Sequence, residues 1–207
     1  MDAPTLSSRD RLLQAAMTLV RTKGYTATTV DDLCAATGLT KGAFFYHFKT
    51  KEDIFVAAAQ RFGEDADALF RHAGYMDKAD PLQRLLGYVD FRIELLQGEI
   101  AEITCVLGTL VQEVHITHPT IREVCDRHIT ANAGLVTEMV TAAKRQHVPR
   151  ARWSAEALGL YVQAVIQGSL LLVKARQSIE PAVECLRVLR RHLELQFLPT
   201  PTKETVK

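Results

Sequence analysis

Apolar residues recur along the chain at the three- and four-residue spacing of amphipathic helices. Alternating apolar and polar runs flanked by hairpin turns, which would indicate strands, are missing. Prolines fall where they can punctuate helices rather than interrupt them. The pattern therefore predicts an all-α protein of about nine helices.

Three short helices are predicted in the first 50 residues, each begun by a hydroxyl side chain that can cap it. The candidate caps are Ser7 or Ser8, Thr28 or Thr29, and Thr40. Their ends are predicted at Gly24, at Gly38 and at about His47, since glycine permits the left-handed turn that closes a helix. Longer helices are predicted over residues 51–72, 81–97, 100–115, 119–146, 154–177 and 181–197, followed by a polar tail at 198–207 that is expected to be disordered.

The composition indicates a globular protein of one large or two small domains. Of 207 residues, 47% are hydrophobic and 24% are charged, which excludes a disordered chain. The four cysteines are too widely spaced for a zinc or redox pair. Because the start lacks an apolar signal core and no apolar run is long enough to span a bilayer, we expect a cytoplasmic protein without a membrane anchor, metal or cofactor.

The net charge of +1 conceals an asymmetry between the two parts of the chain. Residues 1–51 hold seven basic and four acidic side chains, a net charge of +3, and the remainder carries −2. A positive N-terminal region suits DNA as a partner, although +3 predicts few phosphate contacts and a moderate dependence on salt.

The second and third helices fit a helix-turn-helix, in which the second helix of the pair enters the major groove. The segment from Thr28 to Asp53 reads TTVDDLCAATGLTKGAFFYHFKTKED. It resembles the DNA-binding segment of the tetracycline-repressor (TetR) family, whose pattern is roughly T-x-x-x-I-A-x-x-A-G-V-[ST]-K-G-x-[LF]-Y-x-[HY]-F-x-[ST]-K-E-x-L. The resemblance implies a DNA-binding domain over 1–51 and an effector-binding and dimerisation domain over 52–197.

The resemblance also implies which residues meet double-stranded operator DNA. Short polar residues and glycine permit close approach, aromatic side chains reach the backbone, and lysine pairs with phosphate. The implied contacts are Thr29, Thr40, Lys41, Gly42, Ala43, Phe45, Tyr46, His47 and Lys51. The family usually has tyrosine at the position of Phe45, which cannot donate a hydrogen bond to phosphate; we expect an apolar contact there with a thymine methyl group or a sugar.

The resemblance implies that the C-terminal region forms a homodimer through its last two helices, and the sequence is compatible with this. Helix 154–177 carries apolar residues on more than one face, so it can pack within its own subunit and against a partner. Ala164 and Gly168 lie four residues apart and allow close approach of another helix. The alternative is that these stripes serve only the core of a single subunit.

A small-molecule effector site is also implied by resemblance. The run Cys105–Glu113, CVLGTLVQE, resembles a C-L-x-G-x-x-x-Q-E stretch that lines the effector cavity in one branch of the family. Apolar side chains with a few polar groups are typical of such cavities. The candidate residues are Tyr88, Phe91, Arg92, Cys105, Tyr161 and Gln167. Cys105 is either a reactive sensor or an inert packed thiol, and His115 and His118 are interpreted as surface or helix-end residues rather than zinc ligands.

These features favour a DNA-binding transcriptional regulator, a repressor released from a palindromic operator by a small molecule. Two alternatives stay open: a dimeric regulator that acts without an effector, and a helical ligand-binding protein with enzymatic activity. No catalytic triad, phosphate loop, metalloprotease motif or dinucleotide fingerprint appears in the sequence, so we expect no enzyme.

Overall fold

The computed structural model describes residues 6–198. Within that range the chain forms ten α-helices, one short 3-10 helix at Gly74–Asp77 and no strand, which confirms the all-α prediction. The predicted tail falls outside the described residues except for Leu198. The helices are α1 Ser8–Ala27, α2 Val30–Thr37, α3 Lys41–His47, α4 Lys51–Arg71, α5 Pro81–Glu94, α6 Ile100–Ile103, α7 Val106–Val114, α8 Pro119–His147, α9 Ala155–Arg176 and α10 Glu180–Gln196.

The first three helices begin at predicted caps. The side-chain oxygens of Ser7, Thr29 and Thr40 each accept a hydrogen bond from the backbone amide three residues later, at 3.1–3.2 Å. Regular helical geometry in α1 stops at Gly24, which has φ 84°, although the helix is continued to Ala27. The predicted end of the first helix is therefore correct for its regular part.

The single helix predicted over 100–115 is wrong, because the chain is extended at Thr104 and Cys105. The Thr104 hydroxyl donates to the Ile100 carbonyl at 2.9 Å, and the Cys105 sulfur accepts from the Gly108 amide at 3.3 Å. The Thr104 amide still donates to the Ile100 carbonyl, whereas the Gly108 amide bonds to the Cys105 sulfur in place of the Thr104 carbonyl that a continuous helix would offer it. The extended backbone at Thr104 and Cys105 thus divides the segment into α6 and α7. This break accounts for a tenth helix.

The chain divides into two compact units. The first contains the residues up to Phe70 together with 98–131, so α1 to α4 share a unit with α6, α7 and the first part of α8. Its core is apolar and contains Leu33, Phe44 and Phe48. The predicted functional boundary after Lys51 therefore lies within a packing unit, and that division remains a prediction.

The second unit comprises residues 71–97 and 132–198 of the described chain. In it α10 packs on both α9 and α5. The Arg190 guanidinium donates to the Asp90 carboxylate at 2.6 Å, which joins α10 to α5. By length and composition alone α9 could cross a membrane, but one such helix, with 39% of its apolar window buried, is weak evidence for a membrane protein.

Candidate functional site

The recognition helix α3 presents two aromatic rings to solvent. The side chain of Tyr46 is 84% exposed and that of Phe45 is 52% exposed. Phe44 between them and the core is fully buried, and its ring meets the Phe45 ring edge to face with 5.2 Å between centroids. The buried ring restrains the exposed one, so α3 offers a preformed surface of the size that enters a major groove.

The other predicted contacts on and before α3 surround these rings. Thr40, Lys41 and Gly42 are exposed, and Ala43 and His47 are partly buried. The structure thus brings the predicted contacts of α3 onto one short helix with its cap. Their individual roles toward DNA remain predictions.

Two lysines of this region form ion pairs with the start of α2. The Lys41 amine lies 2.8 Å from the Asp31 carboxylate, and the Lys23 amine lies 2.6 Å from the Asp32 carboxylate. The hydrogen bond from Lys23, followed by that from the Thr29 hydroxyl, lowers the pKa of Asp32 well below its usual range. Ion pairs at the surface of a protein contribute little to stability, so phosphate can compete with the carboxylates for the lysines.

Lys51, in the first turn of α4, contacts residues 24–28, which form the corner between the regular part of α1 and the cap of α2. Its amine donates to the carbonyl oxygens of Tyr25 and Thr28, both at 3.1 Å, and lies 4.1 Å from the centroid of the Tyr25 ring. Burial lowers the pKa of Lys51. The predicted phosphate contact of Lys51 remains a prediction, and the structure adds an internal role that the sequence motif did not indicate.

The predicted effector residues fall in both compact units. Cys105 belongs to the first unit and the other five belong to the second. Among those five, Phe91 packs near Tyr75, Tyr161 is partly exposed beside His192, and Gln167 is partly buried.

Within the second unit, Tyr88 and Arg92 are joined through a residue that sequence reasoning missed. The fully buried Tyr88 hydroxyl donates to the Asn132 side-chain oxygen at 3.0 Å. The Arg92 guanidinium donates to that same oxygen at 2.9 Å and to the Tyr88 hydroxyl at 2.8 Å. Asn132 lies on α8, and no periodicity or motif marks it in the sequence.

Two family models match the chain. The first, described as "Bacterial regulatory proteins, tetR family", matches residues 12–58, which contain the helix-turn-helix. The second, described as "Transcriptional regulator LmrA/YxaF-like, C-terminal domain", matches residues 81–187, more than half of the chain. The chain belongs to the TetR family. It is therefore a DNA-binding transcriptional regulator and not an enzyme, as the sequence predicted.

Curated relatives extend this TetR-family assignment. The chain is 34% identical over 99 residues to the HTH-type transcriptional repressor KstR2 of Mycolicibacterium smegmatis, a match that covers 47% of each protein. It is 23% identical to the HTH-type transcriptional repressor DhaR of Mycobacterium sp. (strain GP1), over 87% of this chain and 89% of DhaR.

Solved structures share the fold. The regulatory protein TetR from Rhodobacter sphaeroides is 21% identical, with a TM-score of 0.80 over 89% of this chain and 98% of that one. The reduced form of NemR from E. coli is 20% identical, with a TM-score of 0.76 over 95% and 100%.

Proposed function

We propose that this TetR-family regulator is a cytoplasmic repressor that binds a palindromic operator as a homodimer and releases it when a small molecule binds the C-terminal region. The observation that carries the DNA-binding part is the exposed surface of α3, held in place by the buried Phe44 ring. The repressor assignment is supported by KstR2 and DhaR, which are both named as repressors.

Operator binding is tested by mobility shift with the DNA upstream of the gene. The purified protein should shift a palindromic fragment, and its affinity should fall as salt rises because the contacts to phosphate release counterions. A scrambled fragment of equal length is the control. Absence of salt-sensitive, sequence-selective binding to the upstream DNA would contradict the proposal.

Dimerisation is supported by an apolar face that α9 and α10 leave exposed. Leu160 and Leu171 on α9 are 62% and 52% exposed, and Val188 on α10 is 67% exposed. A Cβ added at Gly168 would meet nothing within 4 Å, so another helix can approach α9 closely there. A large exposed apolar patch typically marks an interface, and a second copy with the same patch suits the two-fold symmetry of a palindrome.

A charge on this face should separate the subunits. Leu171→Glu and Val188→Glu are expected to convert dimer to monomer in light scattering and to weaken operator binding, because each buries an unpaired charge at the interface. Ile116→Glu is the matched control, since Ile116 is 78% exposed and belongs to the first unit, whereas α9 and α10 belong to the second. Variants that remain dimeric would show that this face is not the interface.

For the effector, we propose recognition within the second unit by Tyr88, Phe91, Arg92, Tyr161 and Gln167. The Arg92 guanidinium, the Tyr88 phenol and the side-chain amide of Asn132 favour an effector with an anionic or hydrogen-bond-accepting group. Release of DNA by a fraction of metabolite extract tests this part. Arg92→Met should raise the amount of extract required and leave operator affinity without extract unchanged; release that is equal in both proteins would remove Arg92 from the site.

Cys105 is proposed separately as a thiol sensor. It is partly exposed at the start of α7, whereas Cys125 is buried, with burial raising its pKa to about 12. N-ethylmaleimide should therefore modify Cys105 before Cys125 and release the operator. Cys105→Ser should abolish this release and Cys185→Ser should preserve it; release by the reagent in Cys105→Ser would leave Cys105 as a packing residue.

A further inference from the structure

The corner between α1 and α2 is hydrogen-bonded to the carboxylate of Glu113, which lies 88 residues after Tyr25 in the chain. One oxygen of Glu113, on α7, accepts from the Tyr25 amide at 2.6 Å, and the other accepts from the Thr26 amide at 2.7 Å. A Cβ at Gly24 would lie 2.7 Å from the first of these oxygens. Glycine is favoured at position 24 by its φ of 84°, and a side chain there would displace the Glu113 carboxylate from its present position.

The same corner is held on its carbonyl side by Lys51, as described above. The Tyr25 side chain is buried between the rings of Phe55 and His118, at centroid distances of 5.0 and 4.6 Å. The amides of this corner are therefore held by α7, its carbonyls by Lys51 of α4, and the Tyr25 side chain by Phe55 of α4 together with His118. Glu113 is the member of this set that belongs to α7.

We infer that Glu113 is a positioning residue for DNA reading, which fixes the helix-turn-helix against α7 through the backbone amides of Tyr25 and Thr26. The corner leads directly into Thr28, which is fully buried, and Thr29, which caps α2. A shift of the corner therefore shifts the start of α2, and with it the pair of helices that enters the groove.

The electrostatics agree with this role. Burial alone would raise the pKa of Glu113, but hydrogen bonds from Thr26 and Tyr25 and the charge of Lys51 lower it. The carboxylate therefore stays charged at neutral pH, and its bonds to the two amides are of the strong, charge-assisted kind.

Removal of the Glu113 carboxylate should leave the corner less restrained relative to α7 without unfolding the first unit. The Glu113 residue is exposed as a whole, so water can reach the two amides in its absence. The packing of α7 on α1 rests on buried apolar side chains such as Leu110 and Leu13. We therefore expect a wider range of orientations of the helix-turn-helix rather than a loss of fold.

The experiment compares Glu113→Ala and Glu113→Gln with Gln112→Ala. Gln112 is the neighbouring exposed residue, and its side-chain amide donates to the Gly108 carbonyl of its own helix at 2.8 Å. Operator affinity is measured on the full palindrome, on palindromes with the half-site separation changed by one base pair, and on a single half-site. Thermal unfolding and amide hydrogen exchange at Tyr25 and Thr26 are followed in the same proteins.

Glu113→Ala is expected to bind the full palindrome about tenfold more weakly, to discriminate less between half-site separations, and to exchange both amides faster. Glutamine retains one acceptor and turns an amide group toward the other N–H, so Glu113→Gln should fall between Glu113→Ala and the wild type. Gln112→Ala should match the wild type. A purely stabilising role would lower the unfolding temperature and leave the discrimination between separations unchanged, which would overturn the inference.

The inference rests on the proposed binding of a dimer to a palindrome, and the outcomes separate the two. If the wild type does not bind the palindrome, the proposed function fails. If the wild type binds it with a preferred separation and Glu113→Ala binds with equal affinity and equal preference, only the positioning role of Glu113 is refuted.

Discussion

The contact between Gly63 and His128 makes a sharp prediction for Gly63→Ala. Gly63 lies buried on α4, and the imidazole of His128 on α8 rests directly against it. A Cβ at Gly63 would lie 2.1 Å from Cγ and 2.4 Å from Nδ1 of that ring, far inside van der Waals contact. His128 Nε2 lies 3.2 Å from the Gln60 side-chain oxygen, which restrains the ring from turning away.

Two opposing terms set the size of the effect. Alanine is favoured over glycine inside a helix by about 1 kcal/mol. Overpacking of a well-packed contact costs about 1–3 kcal/mol, and the short distances place this site toward the upper end of that range. Gly63→Ala should therefore lower the free energy of unfolding by about 1–2 kcal/mol, or the melting temperature by about 2–4 °C per kcal/mol.

The sign should reverse when the ring is removed. In a His128→Ala background, Gly63→Ala meets no imidazole and should gain the helix preference of about 1 kcal/mol. Gly134→Ala on α8 is the control, because its Cβ would meet nothing within 4 Å and the change should stabilise in either background. Urea unfolding at one fixed protein concentration measures all variants, since dimerisation links stability to concentration. If Gly63→Ala stabilises the wild type as much as it stabilises the His128→Ala variant, the close packing at Gly63 is refuted.

Three further predictions concern polar contacts outside the recognition helix. The Lys144 amine donates to the Trp153 carbonyl at 2.6 Å and lies 4.8 Å from the centroid of the indole ring. Lys144→Met should therefore lower the free energy of unfolding by about 1 kcal/mol and red-shift the fluorescence of the sole tryptophan, and unchanged emission would contradict this. Burial lowers the pKa of His128, so the folded chain binds a proton at this side chain less readily than the unfolded chain does. The free energy of unfolding should therefore fall as pH drops below about 6.5, and it should fall less in His128→Asn; equal slopes in the two proteins would refute this prediction. The Asp80 carboxylate caps α5 and lies 2.8 Å from the His147 ring nitrogen. Asp80→Ala should lower the free energy of unfolding by about 1 kcal/mol, and Asp80→Asn should lower it less because asparagine retains the cap; equal losses in the two variants would assign the effect to the ion pair.

The helix starts near the N-terminus were predictable because their signals are local. Thr29, Thr40 and Thr50 each cap the helix that follows through a contact to a residue three positions later. The single helix predicted over residues 100–115 was wrong because the break in it leaves no mark in the apolar pattern. Its apolar periodicity continues unbroken through Thr104 and Cys105, and both side chains satisfy backbone groups that a continuous helix would have used. Periodicity reports the face that is buried and not whether the backbone is continuous beneath it.

Most of the predicted DNA contacts lie on α3 and its cap because the motif specifies their spacing on consecutive residues, whereas Thr29 caps α2 and Lys51 begins α4. The candidate effector residues were less predictable, since their surroundings depend on contacts between distant parts of the chain. Tyr88 was selected as a cavity residue, yet its hydroxyl is engaged by Asn132 and Arg92 and its side chain is fully buried. A pattern of apolar and polar residues on one helix cannot reveal a bond to a helix 40 residues away.

Glu113 shows, within a single motif, the difference between what the sequence predicts and what depends on contacts between distant residues. In the sequence it closes the run Cys105–Glu113, where it was interpreted together with its neighbours as part of a cavity helix. In the structure its carboxylate points to the amides of Tyr25 and Thr26, and the first residue of that run caps the same helix. The two ends of this run therefore do different things: Cys105 caps the start of α7, and Glu113 holds the backbone that leads into α2. The residue types are legible in the sequence, and only the fold shows that α7 is hydrogen-bonded to the stretch of backbone that leads into the helix-turn-helix.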